Sequence, residues 1–282
     1  MFDDMLLEML RLTVEAGSLS VDPLREGIET YGGGAAYNAV RAIHNVAIRP
    51  VSAVVIALMC TIELARNASR IEGDRELGVK IIAASIFKMV LLVLVAQHAL
   101  DLLGAIAEVA SEIIKNISVS APSVNTNTEV LNSAFSEQIQ SANDMEQVGV
   151  LVLLLVPFIV SIICHPILEI LIFFRFAELY LMMAFASLPM AFVAHPDTKN
   201  ITVGYLRRFG AASLQGVVLI IIAVIYPLLI QYIPALNIGP LGDGEGISVW
   251  VVKNYISLLL GPAVFLVFVL HSGKLARALV GG

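Results

Sequence analysis

Apolar residues run along this chain in five long blocks, and the polar positions between them limit what the blocks can be. The longest lies between Gln147 and Val193, broken mainly by His165, Glu169 and the cluster Arg175-Phe176-Ala177-Glu178-Leu179-Tyr180. As a straight helix at ~1.5 Å per residue it would be roughly 70 Å long. A bilayer core needs only about 20 residues. Shorter apolar runs cover about 51–65, 78–100, 209–233 and 249–270.

The connecting segments carry weaker patterns. Phe2, Met5, Leu6, Met9 and Leu10 recur at helical spacing, with Asp3, Asp4, Glu8 and Arg11 elsewhere, which predicts a short helix lying in the membrane interface. Asp22-Pro23 reads as a helix start, Tyr31-Gly32-Gly33-Gly34 as a break or hinge, and 35–48 as mildly amphipathic. Arg49-Pro50 then opens the first span. Past the second span the helix continues, with Ile106, Val109, Ala110, Ile113 and Ile117 on one face. From Ser118 to Asp144 the chain is rich in Ser, Asn and Thr and keeps one amphipathic island, Leu131, Phe135 and Ile139. Connections of that length are often functional.

The predicted fold class is therefore an all-α integral membrane protein of about five transmembrane helices. Amino-terminal interfacial helices and one long outer loop complete it. The organisation expected is 1–49 amphipathic, 50–117 the first two spans with their extension, 118–146 the polar loop, and 147–282 the remaining spans and tail. Composition agrees: 58% of residues are hydrophobic and 14% charged, against about 25% charged in soluble domains.

Charge placement orients the spans. Arg66, Arg70, Arg75 and Lys80 follow the first span, and Lys199, Arg207 and Arg208 follow the longest block. Lys274 and Arg277 lie near the carboxyl end, whereas 118–145 and 234–248 hold no Lys or Arg. Basic loops stay cytoplasmic. If both basic loops are inside and 118–145 is outside, 147–193 crosses once. The amino terminus is then outside and the carboxyl terminus cytoplasmic. A hairpin near His165-Pro166 would instead give six spans. Pro157, Pro166 and Pro189 are the kink points of a single long crossing.

The chemistry that is missing narrows the function. Ser272-Gly273-Lys274-Leu275 lacks the glycine and hydroxyl of a phosphate-binding loop, and the glycines of 239–246 read as a turn. There is no His-Glu-x-x-His pair and no Gly-x-Ser-x-Gly elbow, so no enzyme is expected. Cys60 and Cys164 lie in predicted spans as small apolar residues, and His165 and His195 precede prolines as helix-end residues. A net charge of −6 argues against tracking phosphate backbones. No metal and no cofactor is expected, a bound phospholipid apart.

Five polar residues inside the spans stand out: Glu63, Lys88, Arg175, Glu178 and Gln215. A central charge costs about 2.5–3.5 kcal/mol on insertion scales, so these face other helices or a water-filled path. Arg175 and Glu178, i and i+3, can pair on one helix, and Lys88 can pair with Glu63 or with Glu178. The set reads as an ion-pair network, as a channel lining or as a proton relay. Ala53 with Ala57, and Ala212 with Gly216, are small-residue pairs one turn apart that let helices approach, within a chain or between copies.

Arg175-Phe176-Ala177-Glu178-Leu179-Tyr180, Pro189, Tyr205-Leu206-Arg207 and Gln215-Gly216 together resemble the TrbL-type family. Its members are the polytopic inner-membrane subunits of conjugative type IV secretion systems, equivalent to the sixth VirB subunit. Tyr37-Asn38, Pro50, Ile62-Glu63-Leu64 and Phe87-Lys88 fit as well, so the resemblance spans roughly 37–233. Where relatives show Ala-Pro-x-Pro, this chain reads Ala186-Ser187-Leu188-Pro189. The resemblance implies five spans, an outside amino terminus and a homo-oligomer, a ring of five. It implies a channel or pilus-assembly platform in the bacterial inner membrane that moves DNA–protein substrates. Separate ATPases and pilin would be partners, beside membrane lipids and the transient nucleoprotein. A small-solute transporter built on Lys88, Arg175 and Glu178 is the rival reading, against which stands the missing internal repeat.

Overall fold

The computed structural model describes residues 2–15, 22–69, 75–120, 135–136, 138–140, 142–242 and 245–281. Among the described residues there are helices and turns and no strand. In chain order the helices are α1 (Phe2–Glu15), α2 (Asp22–Arg25), α3 (Ala35–Ile43), α4 (Arg49–Ser69), α5 (Arg75–Gln97), α6 (Ala99–Ser120), α7 (Asp144–Ala184), α8 (Ser187–Ala191), α9 (Lys199–Ile230) and α10 (Ile247–Leu279). Five stretches are long and apolar enough to cross a membrane: Tyr31–Ser69, Gly78–Gln97, Asp144–Ala184, Lys199–Ile230 and Ile247–Leu279. This is an all-α, multi-pass membrane protein.

One expected boundary moves. α7 is one unbroken helix of 41 residues with Pro157 and Pro166 inside it, so no hairpin forms at 165–166. It ends at Ala184, and Pro189 falls in the separate short helix α8. α4 begins at Arg49, where the first span is expected to open, but it continues a longer helical run. That run starts at Ala35 and passes through a π-turn, His44–Ile48, where the Arg49 N–H reaches back to the His44 carbonyl. Proline cannot donate to the turn before it, and a widened turn just ahead of Pro50 absorbs that loss.

The chain divides into two compact units. The first contains Met1–Asp22, Asn116–Phe173 and Val218–Ser272. Its core joins Leu6, Met9 and Leu10 of α1 to Phe135 and Ile139, to Val150 and Leu154 of α7, and to Ile247, Trp250, Val251 and Leu258 of α10. The apolar face of α1, expected on lipid, is thus covered by protein, while Met5 stays 44% exposed. Of the predicted island, Phe135 and Ile139 are buried in this core and Leu131 lies outside the described residues.

One face of α10 holds the preceding loop. Trp250 Nε1 donates to the Gly239 carbonyl at 2.9 Å, and Asn254 Oδ1 accepts the Gly239 N–H at 2.7 Å. One turn on, Ser257 Oγ donates to the Asn237 carbonyl at 3.0 Å. Three side chains at helical spacing therefore satisfy backbone groups that no helix satisfies. Gly239 belongs to the glycine-rich segment that reads as a turn, whose described residues 239–242 and 245–246 are outside any helix.

The second unit contains Pro23–Lys115, Phe174–Val217 and Gly273–Gly282. On α6 the buried positions are Ala99, Leu100, Leu103, Ala107, Ala110, Ser111 and Ile114, while Val109 is 62% exposed and Ile113 37%. The face predicted from Ile106, Val109, Ala110, Ile113 and Ile117 is rotated by about one residue and shares only Ala110. The prediction weighted bulk; close packing between membrane helices favours small side chains, here Ala107 and Ala110.

Candidate functional site

The candidate residues all lie in the second unit, on α4, α5, α7 and α9. Arg175 is 4% exposed. Its Nε donates to the Ala212 carbonyl and its Nη2 to the Ser213 carbonyl, each at 3.3 Å, while Nη1 has no hydrogen-bond partner. The guanidinium carbon stands 4.9 Å from the Phe176 ring centroid. Phe176 in turn stacks on Tyr31, centroids 3.7 Å apart and planes within 10°. Guanidinium and two rings thus form a cation–aromatic group. It fastens the turn that precedes α3, whose Gly32, Gly33 and Gly34 all have positive φ.

Space for the guanidinium comes from α9. Ala212 and Gly216, the small pair, line the face that Arg175 enters. They bring helices together inside one chain, through a charged side chain.

The predicted pair between Arg175 and Glu178 does not form. Glu178 Oε1 accepts from Arg208, with Nε and Nη2 both at 3.0 Å. The reason is competition: two backbone carbonyls and a bare glycine hold the guanidinium on α9, and Arg208 offers Glu178 a two-pronged partner. Nor does Lys88 meet Glu178.

Lys88 belongs to a second cluster. Its Nζ donates to the Ala194 carbonyl at 2.8 Å and stands 3.9 Å from Glu63 Oε1. Glu63 Oε2 is buried without a hydrogen-bond partner, 3.9 Å from His195 Nε2. That imidazole nitrogen lies 3.1 Å from Arg66 Nη1, and Arg66 also reaches Asp197 Oδ2 at 3.5 Å. The other ring nitrogen, Nδ1, lies 3.3 Å from the Asp197 backbone N and 3.6 Å from Asp197 Oδ2. The cavity lined by Glu63, Ser85, Lys88 and Ala194 is about 10 Å³, less than or equal to the room one water needs. It is a packed charge cluster rather than a ligand pocket.

The segment after α8 makes this cluster possible. A 3-10 turn, Phe192–Ala194, ends at His195, which is extended at φ −105°, ψ 133°, the conformation required before Pro196. That bend delivers the Ala194 carbonyl and the His195 ring to α4 and α5. Sequence reading took His195 as a helix-end residue and did not join it, Arg66 or Asp197 to Glu63. The usable signal was His-Pro-Asp directly after an apolar run.

Three more placements complete the picture. Gln215 lies beside Gly273, where an added Cβ would stand 3.4 Å from its Nε2, so it faces α10. Ala53 and Ala57 are exposed on α4, while Ser52, Ile56 and Glu63 form its buried face. Ser52 Oγ lies 2.8 Å from Ser187 Oγ, and both residues are buried. Ser187 occupies the position where the resemblance leads one to expect proline, and its hydroxyl is used.

A family model described as TrbL/VirB6 plasmid conjugal transfer like protein matches residues 30–187. No curated protein and no solved structure matches the chain. Tyr31, Glu63, Lys88, Arg175, Glu178 and Ser187 fall inside the matched region. The features at Tyr205-Leu206-Arg207 and Gln215-Gly216 fall beyond its end.

Proposed function

Because the chain belongs to the TrbL/VirB6 plasmid conjugal transfer-like family, we propose that it forms the inner-membrane channel or pilus-assembly platform of a conjugative type IV secretion system. The family gives the coarser statement outright: a multi-pass membrane subunit of a conjugal transfer system. In the proposed reading several copies, five by the family resemblance, surround the path of a DNA–protein substrate. The amino terminus is outside and the carboxyl terminus cytoplasmic. Separate ATPases supply the energy, since the sequence holds no phosphate-binding loop.

The observation that carries this reading is the match over 30–187, a region that holds the first three of the five apolar helices. Assembly into a ring is supported by α4, whose Ala53 and Ala57 stay exposed beside Val54 and Leu58. Such a face suits contact with another copy. The rival, a small-solute transporter at Lys88, Arg175 and Glu178, has less support, since each of these residues is engaged by different partners.

Deleting the gene from a donor cell tests the function directly. Conjugation frequency should fall to background and return with the intact gene, and the purified protein should have the mass of a symmetric oligomer. A stable monomer whose loss leaves transfer intact would overturn the proposal. Solute uptake by the isolated protein in vesicles would favour the rival.

A further inference from the structure

A second polar site lies within the first unit. A pocket of about 300 Å³ is lined by Leu12 of α1 and by Ser161, Ile162, Pro166 and Glu169 of α7. Residues 162, 166 and 169 share one face of α7 by their i, i+4, i+7 spacing. Ser161 is 2% exposed, and its hydroxyl has no hydrogen-bond partner. Pro166 has no N–H, so the Ile162 carbonyl has no donor one turn along the helix. Glu169 is exposed on an apolar span and has no ion-pair partner among the described residues.

These groups share one chemistry. A carboxylate, a carbonyl released by proline and a hydroxyl together present acceptors, beside the apolar walls of Leu12, Ile162 and Pro166. A primary ammonium has three N–H donors, no acceptor and a positive charge. A methylene chain attached to it would lie on the apolar walls. A quaternary ammonium has the charge and no N–H to give.

We propose that this pocket binds a primary ammonium group, carried by the ethanolamine headgroup of a membrane lipid or by free ethanolamine. The charge of Glu169 is then neutralised within the span, and the Ser161 hydroxyl and Ile162 carbonyl receive donors. The proposal does not depend on the conjugal-transfer reading, because it rests on the pocket alone.

Native mass spectrometry of the delipidated full chain in mild detergent tests it. Phosphatidylethanolamine and phosphatidylcholine with identical acyl chains are titrated separately, and free ethanolamine is added as competitor. The expected result is half-saturation by phosphatidylethanolamine at about tenfold lower concentration, the scale of one charge-assisted hydrogen bond. Glu169→Gln should abolish the difference. Displacement by excess free ethanolamine assigns the site to the amine itself, and resistance assigns it to the lipid; both support ammonium recognition. Equal retention of the two lipids by the unaltered protein overturns the proposal, as does a preference that survives Glu169→Gln. Should that variant fail to fold, Leu12→Trp fills the pocket from α1. It should remove the preference with helix content unchanged, and a preference that persists overturns the proposal equally.

Discussion

A Cβ on Gly216 would stand 2.3 Å from the guanidinium carbon of Arg175 and 2.6 Å from its Nη1 and Nη2. The charged group rests on bare backbone, and that contact explains both residues. A glycine on α9 is what lets an arginine on α7 reach the Ala212 and Ser213 carbonyls. The arginine in turn fills the gap that a missing side chain would leave.

Gly216→Ala should therefore expel a guanidinium that is 4% exposed and held at two carbonyls. The expected cost is about 1–3 kcal/mol, the range for overpacking a filled interior. Thermal unfolding of the detergent-solubilised protein measures it. The double variant Gly216→Ala with Arg175→Met should be less destabilised than the sum of the single changes, because the two residues share one space. Simple additivity would show that they do not meet.

Glu178→Ala removes the partner of Arg208, not of Arg175. The bridge is open, with side-chain exposures of 38% for Glu178 and 73% for Arg208. A loss of at most about 1 kcal/mol is expected. Arg175→Ala empties a buried site and should cost at least twice as much in the same assay. Equal losses would restore the pairing along α7 that sequence spacing suggests.

Lys88 joins α5 to the segment that follows α8. Lys88→Met leaves the Ala194 carbonyl without its donor and Glu63 without its nearest ammonium. The expected cost is about 1–3 kcal/mol, for a buried acceptor left unpaired. Hydrogen exchange should quicken at Thr198 and Lys199, whose amides bond to the His195 carbonyl. Lys88→Arg should recover part of the protection. Unchanged exchange in Lys88→Met would mean that the segment is held without the lysine.

The chain has one tryptophan, Trp250, fully buried in the core that α1 completes. Leu10→Ala should shift its emission to longer wavelength and destabilise the protein by about 2–5 kcal/mol. If α1 lay flat on lipid instead, the same change would leave Trp250 emission where it was.

The length and apolarity of its blocks already determine that this chain crosses a membrane about five times as helices. No other regular structure satisfies its own backbone in lipid without a partner strand. Sequence also identifies Glu63, Lys88, Arg175, Glu178 and Gln215, because charged and polar groups inside apolar spans are costly wherever they point. Lys88 with Glu63 was one of the two pairings the sequence offered, and it forms, whereas the partners of Arg175 and Glu178 were not legible. Spacing along one helix places Arg175 near Glu178, whereas partner choice depends on what a neighbouring helix presents. α9 presents a glycine gap and two carbonyls to Arg175, and Arg208 to Glu178. His195 entered the Glu63 cluster for the same reason, through a bend after α8 that brings together residues more than 100 positions apart. On α6 and α1, apolar periodicity predicted helices correctly, yet tertiary packing chose the buried face of α6 and the protein covering of α1. Hydrophobicity fixes which segments leave water; only the fit between helices decides which side chains meet.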